Sequence, residues 1–173
     1  MAWVVLLRAV NVGGARRFQP SGLAKELTDL DVTGLGAAGT FVVRAPVTER
    51  ALRRRIEQAL PFGTEILVCP AKEIQELIRS DPFEKAPSGA KPYLTVLVAP
   101  SVVALSLPYH VPPAPDWDVQ VQEVRGRYVL SVARRLTDRL TYPNPVVEKA
   151  LHVGATTRGW ATVLSIDERL RAS

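Results

Sequence analysis

The sequence predicts an α+β protein made of two small antiparallel sheets, each with helices packed on one face. Three observations carry that expectation. Short apolar runs alternate with amphipathic stretches in the order strand, helix, strand, strand, helix, strand over the first seventy or so residues. Most of that order returns after residue 90. Two of the runs, Trp3 to Leu7 and Tyr93 to Ala99, are apolar almost throughout and rich in β-branched residues, the pattern of central strands buried on both faces. The expected units are 1–80 and 81–173, the second ending in a C-terminal helix.

The elements follow in chain order. Trp3 to Leu7 is the first strand. Asn11, Gly13 and Gly14 then break it, and Arg16 and Arg17 add two permanent charges beside the turn. Leu23, Leu27 and Leu30 recur at helical spacing, so a helix is expected from Ser21, its N-cap, to about Leu30. A short strand over Asp31 to Leu35 and a clear one over Thr40 to Ala45 come next. Thr48 caps a helix whose buried stripe is Leu52, Ile56, Ala59 and Leu60. Pro61 and Gly63 end it, and Thr64 to Cys69 is the following strand. This β-α-β-β-α-β order is the split βαβ pattern of a ferredoxin-like unit.

Pro70 opens a connecting helix with Ile74, Leu77 and Ile78 inward, closed at Asp81-Pro82. After the strand at Tyr93, a short helix is expected over Ser101 to Leu107, then a proline-rich loop or extended segment to Asp118. Val119 to Val124 alternates as a half-exposed strand, Gly126 turns the chain, and Arg127 to Ala133 returns. Asn144 is the expected cap of a helix with Pro145 at its first position, and Gly154 its stop. A last helix runs from Trp160 toward Leu170. The second unit is thus read as ferredoxin-like, with its final strand missing or replaced by a helix.

Composition narrows the function classes. Apolar residues make up 47% and charged residues 23%, as in ordinary globular proteins. No apolar run approaches a membrane span, and no basic, cleavable leader opens the chain, so a cytoplasmic protein without membrane partners is expected. The single Cys69 excludes an internal disulfide framework. Net charge is +5, with arginine far ahead of lysine, which favours an anionic small molecule or nucleic acid as partner.

Catalytic signals are sparse. Gly34-x-Gly36-x-x-Gly39 has the letters of a dinucleotide fingerprint, but a strand follows it where a helix should, so turn glycines between strands are expected. No phosphate-loop lysine, nucleophile elbow or zinc-ligand cluster is present, and neither a metal nor a cofactor is expected. His110 and His152 are isolated, and Cys69 ends a buried strand. The arginine clusters Arg53 to Arg55, Arg125 with Arg127, and Arg134-Arg135 with Arg139 read first as solvated surface. Thr156-Thr157-Arg158 differs, because it stands just before the last helix, where amides, hydroxyls and a guanidinium converge on an anion. Trp160 walls that site or anchors the helix. An RNA-binding sheet would need more aromatics than Trp3 and Phe41.

Two motifs resemble a known family. LLRAVNVGG at Leu6 to Gly14 is similar to the opening LLRGINVGG of the family called domain of unknown function 1697, and EKALHVGATTRGWATV at Glu148 to Val163 is similar to its closing EKALGVPATTRNWNTV. The resemblance implies a bacterial cytosolic protein of ferredoxin-like units, with no established activity. By motif position it implies Arg8, Asn11, Gly13 and Gly14 at one end, and Ala155, Thr156, Thr157, Arg158 and Trp160 at the other. AGTFVV at Ala38 to Val43 departs from the family's SGNVVF, so Ala38 and Thr40 replace a Ser and an Asn. The expected ligand-binding set is Arg8, Asn11, Gly13, Gly14, Arg16, Arg17, Thr156, Thr157, Arg158 and Trp160, brought together around an anion. The competing reading is a small metal-independent enzyme acting on a phosphorylated or carboxylated substrate, with Glu148 as acid/base and Arg158 as charge stabiliser.

Overall fold

The structure, a computed structural model, describes residues 1–9, 19–138 and 141–172. It contains two antiparallel sheets and, among the described residues, five α-helices. Contacts divide the chain into two units, Met1–Ser80 with Thr162–Ser173, and Asp81–Ala161.

In the first unit β1 (Trp3–Leu7) is an inner strand, flanked by β3 (Thr40–Val43) and β4 (Ile66–Pro70), with β2 (Val32–Leu35) beyond β3. The order is β2-β3-β1-β4 and every pairing is antiparallel. One face carries Trp3, Val5, Leu7, Phe41, Val43 and Val68. Against it pack Leu23 of α1 (Pro20–Glu26), Leu27 and Leu30 just beyond, and Leu52 and Ile56 of α2 (Glu49–Ala59). Val4, Leu6, Val42, Leu67 and Cys69, of the opposite register, are buried as well, so this sheet does not keep one wet face.

The local signals mostly hold. Thr48 accepts from the Ala51 amide at 3.2 Å and starts α2 as expected. At α1 the expected Ser21 cap is corrected: Pro20 takes the first position, Gln19 precedes it without a side-chain cap, and Thr28–Leu30 forms a separate 3-10 turn. Gly36 and Gly39 adopt positive φ, 63° and 77°, in the turn joining β2 to β3, which is what those glycines are for. α3 (Ala71–Arg79) buries Ile74 and Leu77. The C-terminal helix α5 (Trp160–Arg171) was expected in the second unit, but from Thr162 it belongs to the first. Its Asp167 accepts from Gln75 of α3 at 3.0 Å and pairs with Arg171 at 2.8 Å, and Arg44 donates to its Arg169 carbonyl at 2.8 Å.

The second unit has the order β6-β7-β8-β5-β9, from β5 (Lys91–Leu97), β6 (Tyr109–Val111), β7 (Val119–Arg125), β8 (Tyr128–Ala133) and β9 (Ala155–Gly159). α4 (Pro143–Leu151) covers one face through Val147 and Leu151, against Leu97, Val121, Val129 and Ala155. Three expectations change here. The helix expected over Ser101 to Leu107 is absent: Val103 and Leu105 pack on the core at period two, and Ser101 Oγ bonds the Leu151 carbonyl at 2.7 Å. The β-branched pair Val102-Val103 favours that extended path. α4 starts two residues earlier than expected, after Tyr142 with Pro143 first. Its end is His152 in the left-handed region rather than Gly154. The final strand read as missing is β9, paired with β5 along its whole length.

Candidate functional site

Residues 11, 13, 14, 16 and 17 of the expected site lie outside the described residues. Arg8, at the end of β1, is described. Its guanidinium pairs with Glu65, its amide donates to the Glu65 carbonyl at 3.1 Å, and its own carbonyl accepts from Thr64 Oγ1 at 2.5 Å. A cleft of about 410 Å³, lined by Glu57, Leu60, Phe62 and Thr64 among others, lies in the same unit. The end of α2 and Glu57 give this cleft negative rather than positive polarity.

Thr156, Thr157, Arg158 and Trp160 belong to the second unit. The expectation of free helix-start amides at Thr156 to Arg158 is corrected, because these residues are strand, not cap. Antiparallel alternation then decides which amides are free. Val98 N donates to Gly154 O, and the register continues through Val96 with Thr156 and Leu94 with Arg158. Thr156 and Arg158 therefore bond β5, while Ala155, Thr157 and Gly159 turn their backbone groups outward along the sheet edge. Glu148 Oε1 accepts the outward Ala155 amide at 2.8 Å. The residue read as an acid/base in the enzyme alternative thus binds main chain.

Arg158 is buried, with 7% of its surface exposed. Its Nη1 donates to Thr156 Oγ1 at 2.7 Å and to the outward Thr157 carbonyl at 2.9 Å, so the guanidinium curls to the open edge. Burial lowers its pKa to about 10, which leaves it cationic at neutral pH. The outward amides of Thr157 and Gly159 meet no partner among the described residues, and a side chain at Gly159 would meet nothing within 4 Å. Trp160 packs edge-on against Phe83, ring centroids 4.9 Å apart, as an anchor for the start of α5.

Beside this edge runs a hydroxyl relay that sequence reading missed. Thr157 Oγ1 donates to Asn144 Oδ1 at 2.8 Å, so Thr95 Oγ1, 2.7 Å away, must be the donor in its contact with Thr157. Asn144 was expected to cap α4 and instead serves β9. The available signal was Thr95, a polar residue set between the apolar Leu94 and Val96 of an inner strand. Ser131 Oγ is fully buried on the same face and has no partner among the described residues.

The arginine clusters are mostly tied to their own surroundings. Arg55 grips Asp29 with two bonds of 3.0 and 2.9 Å, Arg53 pairs with Glu49, Arg125 with Glu123, and Arg134 stacks 3.8 Å above the Trp117 ring. No group of three metal-capable side chains exists among the described residues. No helix among them is long and apolar enough to cross a membrane.

Residues 1–108 match the family described as "Protein of unknown function (DUF1697)", which is more than half of the chain. The chain belongs to that family. The closing motif at Glu148 to Val163 lies beyond the matched residues. A similar solved structure is that of the conserved bacterial protein SP0830 from Streptococcus pneumoniae, with a TM-score of 0.62, 15% identity and 98% of each chain covered. At that identity the likeness is one of fold. No curated protein matches the sequence.

Proposed function

We propose that the protein is a non-catalytic, cytosolic binder of a small phosphate- or carboxylate-bearing ligand, held at the open edge of β9. The observation that carries this reading is the convergence of two outward amides, Thr157 and Gly159, with the Arg158 guanidinium at one edge. Backbone amides in such an arrangement bind oxyanions, and a buried guanidinium strengthens the contact because little water screens it. The absence of a Cβ at Gly159 leaves room for the ligand. Arg8 and the Asn11, Gly13, Gly14, Arg16 and Arg17 segment form a second candidate set by residue type. The split βαβ reading belongs with this proposal. It is supported in the first unit by the sheet order β2-β3-β1-β4, and in the second by the same order among β7, β8, β5 and β9.

Calorimetric titration with inorganic phosphate, nucleotides and oligonucleotides at two salt concentrations tests the proposal. A charged hydrogen bond contributes about 1.5–3 kcal/mol, so Arg158→Met should weaken binding by about one to two powers of ten. Because Arg158 is buried, the same change should also lower stability. Arg158→Lys, which keeps charge but loses the fork, separates the two effects. A shallow salt dependence is expected for a single small anion, and a steep one with oligonucleotides would indicate nucleic acid. The reading fails if nothing binds, or if Arg158→Met binds as tightly as the parent.

A further inference from the structure

The geometry of β2 fixes which of its backbone groups face away from the sheet. Leu7 N donates to Gly39 O, so Gly39, Phe41 and Val43 bond β1, and Thr40 and Val42 bond β2. Their partners on β2 are Leu35 and Thr33. The bond from Arg44 N to Asp31 O keeps the same alternation. Val32 and Gly34 therefore point their N–H and C=O groups outward, where they meet no partner among the described residues. Beside that edge runs a groove of about 490 Å³ between α1 and β2, lined by Pro20, Ser21, Ala24, Val32 and Gly34 among others. Small residues keep it open, and a Cβ at Gly34 would already reach the Phe41 ring at 3.5 Å.

Three further observations say what fits there. β2 reads VTGL, with none of the lysines or prolines that natural edge strands use to repel another strand. On the opposite edge of the same sheet, the outward Ile66 carbonyl is taken by Arg53. In the second unit the strand in the place of β2 is β7, and it is covered. Arg134 N donates to Asp118 O, so Val119 and Val121 face outward, and there they pair with Val111 and Tyr109 of β6. Tyr109 packs its side chain on the core that α4 covers. The chain itself thus supplies the second sheet with an extended segment at the position that no described residue fills in the first.

We propose that the β2 edge binds an extended peptide as an added strand, hydrogen-bonded through Val32 and Gly34, with apolar side chains at alternate positions seated in the α1–β2 groove. Among the described residues the lining of the groove carries no charge, and nearby Asp29 and Asp31 are held by Arg55 and Arg44. The partner is therefore a neutral, alternating apolar segment, and its binding is insensitive to salt, unlike the anion at β9.

The test is selection from a displayed library of random peptides of about seven residues on the full chain, followed by amide hydrogen exchange with and without a selected peptide. The expected result is peptides with apolar residues at alternate positions that slow exchange at Val32 and Gly34 by about tenfold or more, leaving Thr33 and Leu35, already paired to β3, unchanged. Gly34→Pro removes one outward donor without touching the ladder to β3 and should abolish binding. Ala24→Gln fills the groove from α1, leaves every backbone donor in place, and should weaken binding by about tenfold or more even where the proline variant fails to fold. The proposal is overturned if no peptide is selected, if protection appears elsewhere, or if both variants bind as the parent does. Protection of Val32 and Gly34 that grows with protein concentration alone would assign the edge to a second copy and overturn it too.

Discussion

The two units share a sheet plan and differ in how they finish it. In each, the first strand sits inside the sheet, between the returning strand of a hairpin and the last strand, in the order β2-β3-β1-β4 or β7-β8-β5-β9. The first unit uses α1 in its first crossover and leaves β2 as an edge. The second uses a proline-rich excursion over residues 98–118, which yields β6 and closes the equivalent edge. Among the described residues, one plan with two crossovers therefore gives one open edge and one covered edge. The crossover, not the sheet, decides which edge is covered.

The largest expected effect probes whether the units are separate in energy as well as in contacts. Leu52 anchors α2 in the first unit and Leu151 anchors α4 in the second, both essentially without exposure. Replacing either by Ala should cost about 2–5 kcal/mol, from lost transfer energy plus the cavity left behind. Chemical denaturation measures the loss, and hydrogen exchange locates it. Leu52→Ala should speed exchange in β1 to β4, and Leu151→Ala in β5 to β9. Equal loss of protection in both sheets for each variant would show that the division is geometric only.

A smaller effect is expected where the second unit holds its edge closed. Arg134 stacks 3.8 Å above Trp117 and donates to the Trp117 and Pro115 carbonyls at 2.9 and 2.6 Å. His110 of β6 lies against the same indole at 5.6 Å. Arg134→Ala removes the stack and both bonds, about 1–2 kcal/mol for a partly buried set. The Val119 and Val121 amides should then exchange at rates approaching those of Val32 and Gly34. Unchanged protection at Val121 would mean that β6 holds itself, and that Arg134 only decorates the loop.

The same contrast explains what the sequence disclosed. The first unit was legible almost element by element, because its strands and helices are local patterns: apolar runs, a Thr48 cap, glycines at the turn. The second was less so. Val103 and Leu105 are spaced for a strand face, but a short apolar stretch fits a helix equally well without knowledge of the core beneath it. β9 was misread because ATTRG is polar, and polar edge strands lack an apolar signature. Its placement depends on pairing with a strand about sixty residues earlier, which no local window contains. Arg158 was expected just before the start of the last helix, from its place ahead of Trp160. Its burial accompanies its place in β9, opposite Leu94 of the inner strand β5. Asn144 likewise had the residue type of a cap, but Thr157 outcompeted the α4 backbone for its side-chain oxygen.

The smallest expected effect separates the units by pH. In the first, Asp29 and Asp31 are held below the ordinary carboxylate value of 3.8, each chiefly by its hydrogen bonds to an arginine, Arg55 and Arg44 respectively. A carboxylate with a depressed folded pKa contributes stability above its unfolded value, and that contribution is lost as pH falls below about 3.8. Both carboxyls are fully exposed, so the loss should be slight and weaker still in salt. In the second unit the Tyr93 phenol is raised above 10.0, first by burial and then by the neighbouring Tyr142. Its neutral form is the one the folded state favours, so its contribution is present below pH 10 and is lost as pH rises beyond it. The two units should therefore soften at opposite ends of the pH scale. Exchange rates followed residue by residue across pH would read the two arms apart. Asp29→Asn with Asp31→Asn should flatten the acid arm in β2 and β3 alone, and Tyr93→Phe the alkaline arm in β5 and β8 alone. An alkaline arm that survives Tyr93→Phe would place its origin in another group and remove this contrast between the sheets.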